Sequence, residues 1–274
     1  MTDTKQVRWT RVSKRAPCVC CGKSDWCCVS PDGGAVCCMR IESDKPLHNG
    51  GFLHRLTEPL PRREAPAAVV ERKREDLDAL LTLWRARTLP GVLDAYAAAL
   101  GVAPAALRAL GAVWSASYGA WAFPMHDSDY RVIGIRLRAN DGKKWAVTGS
   151  RNGLFSDGCP REIADTMLLC EGPTDTAALL TLGYDVIGRP SCSAGNDLVA
   201  AILERDRKHV VIMADADTPG VQGARKLSQD VMRHALSVKI VLPLRYKDAR
   251  EWLRAGATRA VVDAVIRHAR AEHA

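Results

Sequence analysis

From Asp76 onward, apolar residues recur at helical spacing: Leu77, Leu80, Leu81 and Trp84 fall on one face. Pro90 interrupts that pattern. A second helix then carries Leu93, Tyr96, Ala97 and Leu100 and stops near Gly101. A short third helix is predicted over 105–110. The period next drops to two, and 121–125, 132–138 and 144–148 read as strands, with Asn140, Asp141 and Gly142 as a hairpin turn. Beyond residue 167, short apolar runs alternate with helical stretches. Strands are predicted over 168–170, 185–187, 210–213 and 238–242, and helices over 174–182, 195–204 and 219–235. That alternation implies a mainly parallel sheet with helices on both faces.

Residues 1–55 show neither period and are rich in cysteine, with Gly and Asp at turn positions. Residues 57–75 have the Pro, Arg and Glu content of a charged linker. The expected architecture is multidomain α/β: a small β module over 1–56, the linker 57–75, a mixed α+β subdomain over 76–160, and an α/β domain with C-terminal helices over 161–274.

Composition narrows the class. The 274 residues are 47% hydrophobic and 26% charged, as in a globular protein. No apolar run reaches membrane-spanning length, and the first residues lack the apolar stretch of a signal peptide. A cytoplasmic location without membrane partners is the default expectation. In that reducing compartment, clustered cysteines point to metal rather than to disulfides. The net charge is +8. One basic concentration lies in residues 1–75. A second, over 131–151, sets Arg131, Arg136, Arg138, Lys143, Lys144 and Arg151 against the single acid Asp141. Two basic regions beside a nearly neutral remainder suit a polyanionic partner, although solvated surface charge gives the same count.

Seven of the ten cysteines fall between Cys18 and Cys38. Cys18 and Cys21 form a C-x-x-C-G knuckle with Cys20 at its tip, and Cys27-Cys28 and Cys37-Cys38 follow as adjacent pairs. With Asp32-Gly33 as a two-residue loop, Cys28 pairs with Cys37 and Cys27 with Cys38, on opposite faces of a hairpin. Either pair could complete a tetrahedral zinc site with Cys18 and Cys21. His48 and His54 are lesser candidates. Gly22-Lys23-Ser24 ends like a phosphate-binding loop, but Pro17 stands where that motif needs glycine.

A second constellation is acidic. Glu171-Gly172-Pro173-Thr174-Asp175 follows one predicted strand directly, and Asp215-Ala216-Asp217 follows another. Ligand sites of parallel sheets form at such carboxyl ends. Asp215 and Asp217 are two residues apart, so in extended chain they point the same way, about 7 Å apart at about 3.3 Å per residue. Crowded carboxylates are costly without a cation, and hard oxygen ligands suit magnesium or manganese. Two such ions can activate an attacking 3′-hydroxyl and stabilise leaving pyrophosphate. Helix capping is the bland alternative for Asp217, since Thr218-Pro219-Gly220 can open a helix.

The pattern E-G-x-x-D on one strand end with D-x-D on a later one resembles the TOPRIM domain of primases, topoisomerases, small nucleases and recombination mediators. The resemblance implies Glu171, Asp215 and Asp217 as catalytic metal ligands, with Asp175 nearby. Lys247-Asp248 resembles the Lys-Asp-Pro step of primases, which makes Asp248 a further candidate, with Ala249 in place of the proline. Arg189, in Gly188-Arg189-Pro190-Ser191 at another strand end, is a candidate phosphate contact. The order of modules is similar to bacterial and phage primases over nearly the whole chain. By that likeness, Cys27 after Asp25-Trp26 and Cys38 before Met39-Arg40 are the ribbon positions that hold structural zinc with Cys18 and Cys21. The stretch from Lys143 to Phe155 resembles the primase Lys-Tyr-Leu-Asn-Ser region, which implies Arg136, Arg138, Lys143, Lys144 and Arg151 as contacts to template or nucleotide. The implied activity is DNA primase, a nucleotidyltransferase that starts oligonucleotides on single-stranded DNA from nucleoside triphosphates. No helicase motor is visible, so a replicative helicase would be a separate partner. A zinc and TOPRIM recombination mediator, which does not polymerise, and a TOPRIM nuclease are the alternatives.

Overall fold

The computed structural model describes residues 9–47, 50–58, 60, 76–157 and 165–272. The chain forms two compact units, Met1–Arg72 and Lys73–Ala274. Most of the expected linker, the boundary expected at 160, and His48 lie outside the described residues.

The first unit is a four-stranded antiparallel sheet in chain order: β1 (Thr10–Arg11), β2 (Cys28–Val29), β3 (Ala35–Cys38) and β4 (Phe52–Arg55). The register of its central hairpin is the one the turn signal predicts, with Cys28 opposite Cys37 and Val29 opposite Val36. Asp32 holds the turn by accepting hydrogen bonds from the Ser30 hydroxyl and the Gly34 N–H. The outer strands β1 and β4 carry no clear alternation and were not anticipated.

The second unit opens with α1 (Leu77–Arg87), α2 (Pro90–Leu100) and α3 (Pro104–Ala109). Asp76 caps α1, its carboxylate accepting from Ala79 N–H at 3.0 Å. Pro90 and Pro104 stand in the first turns of α2 and α3, where a missing N–H costs nothing. An antiparallel sheet follows: β5 (Val113–Ser115), β6 (Ala120–His126), β7 (Val132–Arg138) and β8 (Lys144–Ala146). One face buries Ile135 and Leu137 against Leu81 and Trp84 of α1.

The parallel part contains β9 (Thr166–Glu171), α4 (Gly172–Thr181), β10 (Val186–Arg189), α5 (Asn196–Arg205), β11 (His209–Met213), α6 (Thr218–Val231), β12 (Ser237–Val241), α7 (Ala249–Arg254), α8 (Arg259–His268) and β13 (Ala271–Glu272). The sheet order is β10-β9-β11-β12-β13, parallel except for the edge strand β13. Alternate residues of β9 explain why both faces are covered. Met167 and Leu169 pack with α5 and α6, whereas Leu168 and Cys170 pack with α4, α7 and α8. The architecture is the expected one, a small cysteine-bearing β module and a mixed α+β region leading into a mainly parallel α/β sheet. No helix among the described residues is long and apolar enough to cross a membrane.

Candidate metal centres and basic face

In the first unit the Sγ atoms of Cys18, Cys21, Cys27 and Cys38 all lie within 4.8 Å of one another. Cys21 to Cys27 is 3.7 Å and Cys27 to Cys38 is 3.9 Å. A tetrahedron with zinc–sulfur arms of about 2.3 Å has edges of about 3.8 Å, so the donor set fits zinc. Backbone N–H groups of Met39 and Ile41 point at the sulfurs of Cys27 and Cys38, at 3.4 and 3.3 Å. Such donors stabilise thiolate charge. The Lys23 backbone N–H brings Cys21 down to about 6, while burial pushes Cys27 up to about 12. Cys28 and Cys37 face each other across β2 and β3, outside the cluster. The His54 ring bonds the Ile41 carbonyl at 3.0 Å and is not a member either.

In the second unit, Glu171 ends β9 and is also the N-cap of α4, with no loop between. Gly172 makes this reversal possible by adopting φ +75°, a conformation that a side chain would strain. Asp215 and Asp217 follow β11, and Asp217 caps α6 through Gly220 N–H at 2.9 Å. Gly220 also lets that first turn approach Asp215. A Cβ there would stand 2.6 Å from the Asp215 carbonyl oxygen. Asp248 caps α7 through Glu251 N–H at 2.7 Å, and Asp175 accepts from Arg250 N–H at 3.0 Å, tying α4 to α7. Capping therefore does explain one oxygen of Asp217, but not the convergence of the other acids.

That convergence is electrostatic. Burial, then Glu171, Asp248 and Asp217, push Asp215 up to about 7. Burial, then Asp248, push Asp175 up to about 7. Glu171 is raised by burial, against the pull of Arg189. Glu171 Oε1 is buried with no hydrogen-bond partner among the described residues. A hard divalent cation suits this donor set. The carboxylates are nevertheless more widely spread than the thiolates, because the cysteine group alone among the described residues gathers its ligand atoms within 4.8 Å.

Arg136 and Arg138 lie two apart on β7 and share a face, opposite Ala146 and Lys144 of β8. Phe123 and Trp121 of β6 pair with the same two arginines and pack on Ala177 and Ala178 of α4. The two arginines thus share a sheet face with the aromatic residues that join this apolar cluster. Lys144 stands exposed on β8, within electrostatic range of the acids: burial of its ammonium end, then Arg138, lower its pKa, while Asp175 and Asp215 oppose that shift. Lys143 instead lies over the Trp145 ring at 5.9 Å, and Arg151 is exposed. Lys247, beside the candidate Asp248, places its ammonium 3.8 Å from Asp217.

Arg189 requires a correction. It is 1% exposed, and its Nη1 donates to Asn196 Oδ1 at 2.7 Å and to Cys192 O at 3.2 Å, so it has no open side for a phosphate. Asn196, which accepts from Arg189, and Asp230, which accepts from Asn196, carry no signal in the sequence, because polar residues on amphipathic helices resemble solvated surface.

Comparison with known proteins fits this geometry. Residues 168–253 match the Toprim-like family. No curated protein sequence matches. Among solved structures, the zinc-binding and RNA polymerase domains of Aquifex aeolicus primase align with TM-score 0.59 at 16% identity, over 71% of this chain and 60% of that one. The E. coli primase catalytic core aligns with TM-score 0.57 at 13% identity, over 71% and 79%. A DnaG primase catalytic domain bound to single-stranded DNA aligns with TM-score 0.57 at 14% identity, over 71% and 77%. The chain therefore carries a Toprim-like domain within a fold shared with bacterial primase cores.

Proposed function

We propose that this protein is a DNA primase, a nucleotidyltransferase that starts oligonucleotides on single-stranded DNA from nucleoside triphosphates. The observation that carries the reading is the grouping of Glu171, Asp175, Asp215 and Asp217 at the carboxyl ends of β9 and β11, within electrostatic range of one another and of Lys144. Glu171, Asp215 and Asp217 would hold magnesium or manganese, with Asp175 and Asp248 beside them. A divalent ion there supplies Lewis-acid activation of a 3′-hydroxyl and charge neutralisation on pyrophosphate.

The protein's own side chains do the positioning. Asp175 ties the first turn of α7 to α4, and Asp248 caps that turn, which holds both carboxylates in place. Lys144 and Lys247 bring positive charge to its rim, where nucleotide phosphates would lie. Arg136, Arg138, Lys143 and Arg151 would track the phosphates of the template. In the ribbon, Cys18, Cys21, Cys27 and Cys38 would hold structural zinc. Trp26, 67% exposed, offers a face on which a template base can stack. The division into a ribbon (1–56), linker (57–75), core subdomain (76–160) and TOPRIM region (161–274) belongs to the same proposal, as does a separate helicase partner.

The test is incorporation of labelled nucleotides on single-stranded templates of varied sequence, with and without magnesium or manganese. Metal-dependent, template-dependent oligonucleotides support the reading. Shortening of the template would instead mark a nuclease, and binding without synthesis a recombination mediator.

A further inference from the structure

Among the described residues, the largest fully buried side chain is charged: Arg189. A buried guanidinium is costly unless it is paired and hydrogen-bonded. Arg189 lies directly opposite Glu171 in the register of β10 and β9. A carboxylate and a guanidinium so placed normally close to about 2.7–2.9 Å. Here Nη2 and Glu171 Oε1 remain 3.9 Å apart, and neither Arg189 Nε nor Glu171 Oε1 has a hydrogen-bond partner among the described residues.

The guanidinium is held from the other side. Its Nη1 donates to Asn196 Oδ1 at 2.7 Å, Asn196 Nδ2 donates to Asp230 Oδ2 at 2.7 Å, and Lys226 Nζ faces Asp230 Oδ1 at 3.2 Å. Only one orientation of the Asn196 amide satisfies both of its neighbours. The chain of contacts runs from Glu171 through the start of α5 into α6, the helix that Asp217 caps.

We propose that Arg189 is a positioning residue for Glu171: anchored by Asn196, which Asp230 holds in turn, it sets the place of the carboxylate and balances its charge while leaving Oε1 without a hydrogen bond. This rests on the acidic metal centre proposed above. It assigns Arg189 the supporting role that outer groups play behind metal ligands, in place of a phosphate contact.

The experiment is manganese binding to the full chain, read by electron paramagnetic resonance without nucleotide, alongside thermal unfolding. Arg189→Met should weaken manganese binding roughly ten- to a hundredfold. Asn196→Ala, remote from the ion, should cause a smaller loss in the same direction. In a Glu171→Gln background, Arg189→Met should cause no further loss. Wild-type manganese affinity in Arg189→Met, with only a lower unfolding temperature, would overturn the inference. If Arg189→Met fails to fold, wild-type affinity in Asn196→Ala does the same. A wild-type protein that binds manganese but makes no oligonucleotide removes the primase reading and leaves this comparison standing. A wild-type protein that binds no manganese removes both.

Discussion

The cysteine cluster of the first unit and the acid cluster of the second both carry donor sets suited to metal, and they differ in how closely those donors are gathered. The four sulfurs sit within 4.8 Å of one another, at edges a zinc tetrahedron requires. The acids sit near enough to raise each other's pKa, but no three of them among the described residues gather ligand atoms as closely as the sulfurs do. Three of them are partly committed, since Asp217 and Asp248 cap helices and Asp175 receives Arg250 N–H. A closed thiolate set leaves no position for substrate and serves folding. An open set of carboxylates, three of them held by one oxygen, leaves the others for ions that substrate helps to complete.

The largest effect that follows is on the ribbon. Replacing Cys18 with serine should release the zinc, about one per chain, and unfold the first unit while the core keeps its unfolding transition. Metal analysis with urea titration checks this. Cys28→Ser should retain zinc where Cys27→Ser loses it, and the reverse ranking would place the cluster on the other face of the hairpin.

A smaller effect separates the two sites by pH. Asp175 and Asp215 titrate near 7 in the metal-free fold, against about 3.9 when unfolded. Between those values the folded state binds more protons. Stability of the metal-free core is therefore fully present at acid pH and is lost as pH rises through about 7. Asp215→Asn should flatten that decline, and magnesium should offset it. Urea midpoints measured from pH 5 to 8 report both; a stability that rises with pH would contradict the crowding of these acids.

The smallest effect concerns binding. Lys144→Ala should weaken single-stranded DNA binding across sequences and reduce the slope of log affinity against log salt by about 0.7, the share of one phosphate contact. An unchanged slope would reduce Lys144 to its role beside the acids.

Much of this was legible because period and turn chemistry agree with the fold. Short apolar strands alternating with helices gave the parallel sheet, and Asp32-Gly33 fixed a register that pairs Cys28 with Cys37. The strand-end positions of Glu171 and Asp215 followed from the same pattern. What could not be read lies in contacts between distant segments. The antiparallel edge strand β13 is two residues long and carries no period. The buried Arg189 bonds Asn196 at the start of the next helix, and Asn196 is held in turn by Asp230, 34 residues further along. An arginine at a strand end looks the same in sequence whether it faces a phosphate or is enclosed. The choice between Cys27/Cys38 and Cys28/Cys37 likewise needed the knuckle's position, which hairpin geometry does not contain.

The central claim is that the acids at the ends of β9 and β11 perform metal-dependent synthesis while the basic face binds template. The most direct measurement sets Asp215→Asn beside the wild type in one experiment, following labelled-nucleotide incorporation and single-stranded DNA binding with magnesium present. The account predicts loss of product with template affinity retained and the fold intact or stabilised, since a neutral side chain relieves the crowded carboxylates. Oligonucleotide synthesis at the wild-type rate by Asp215→Asn would contradict it.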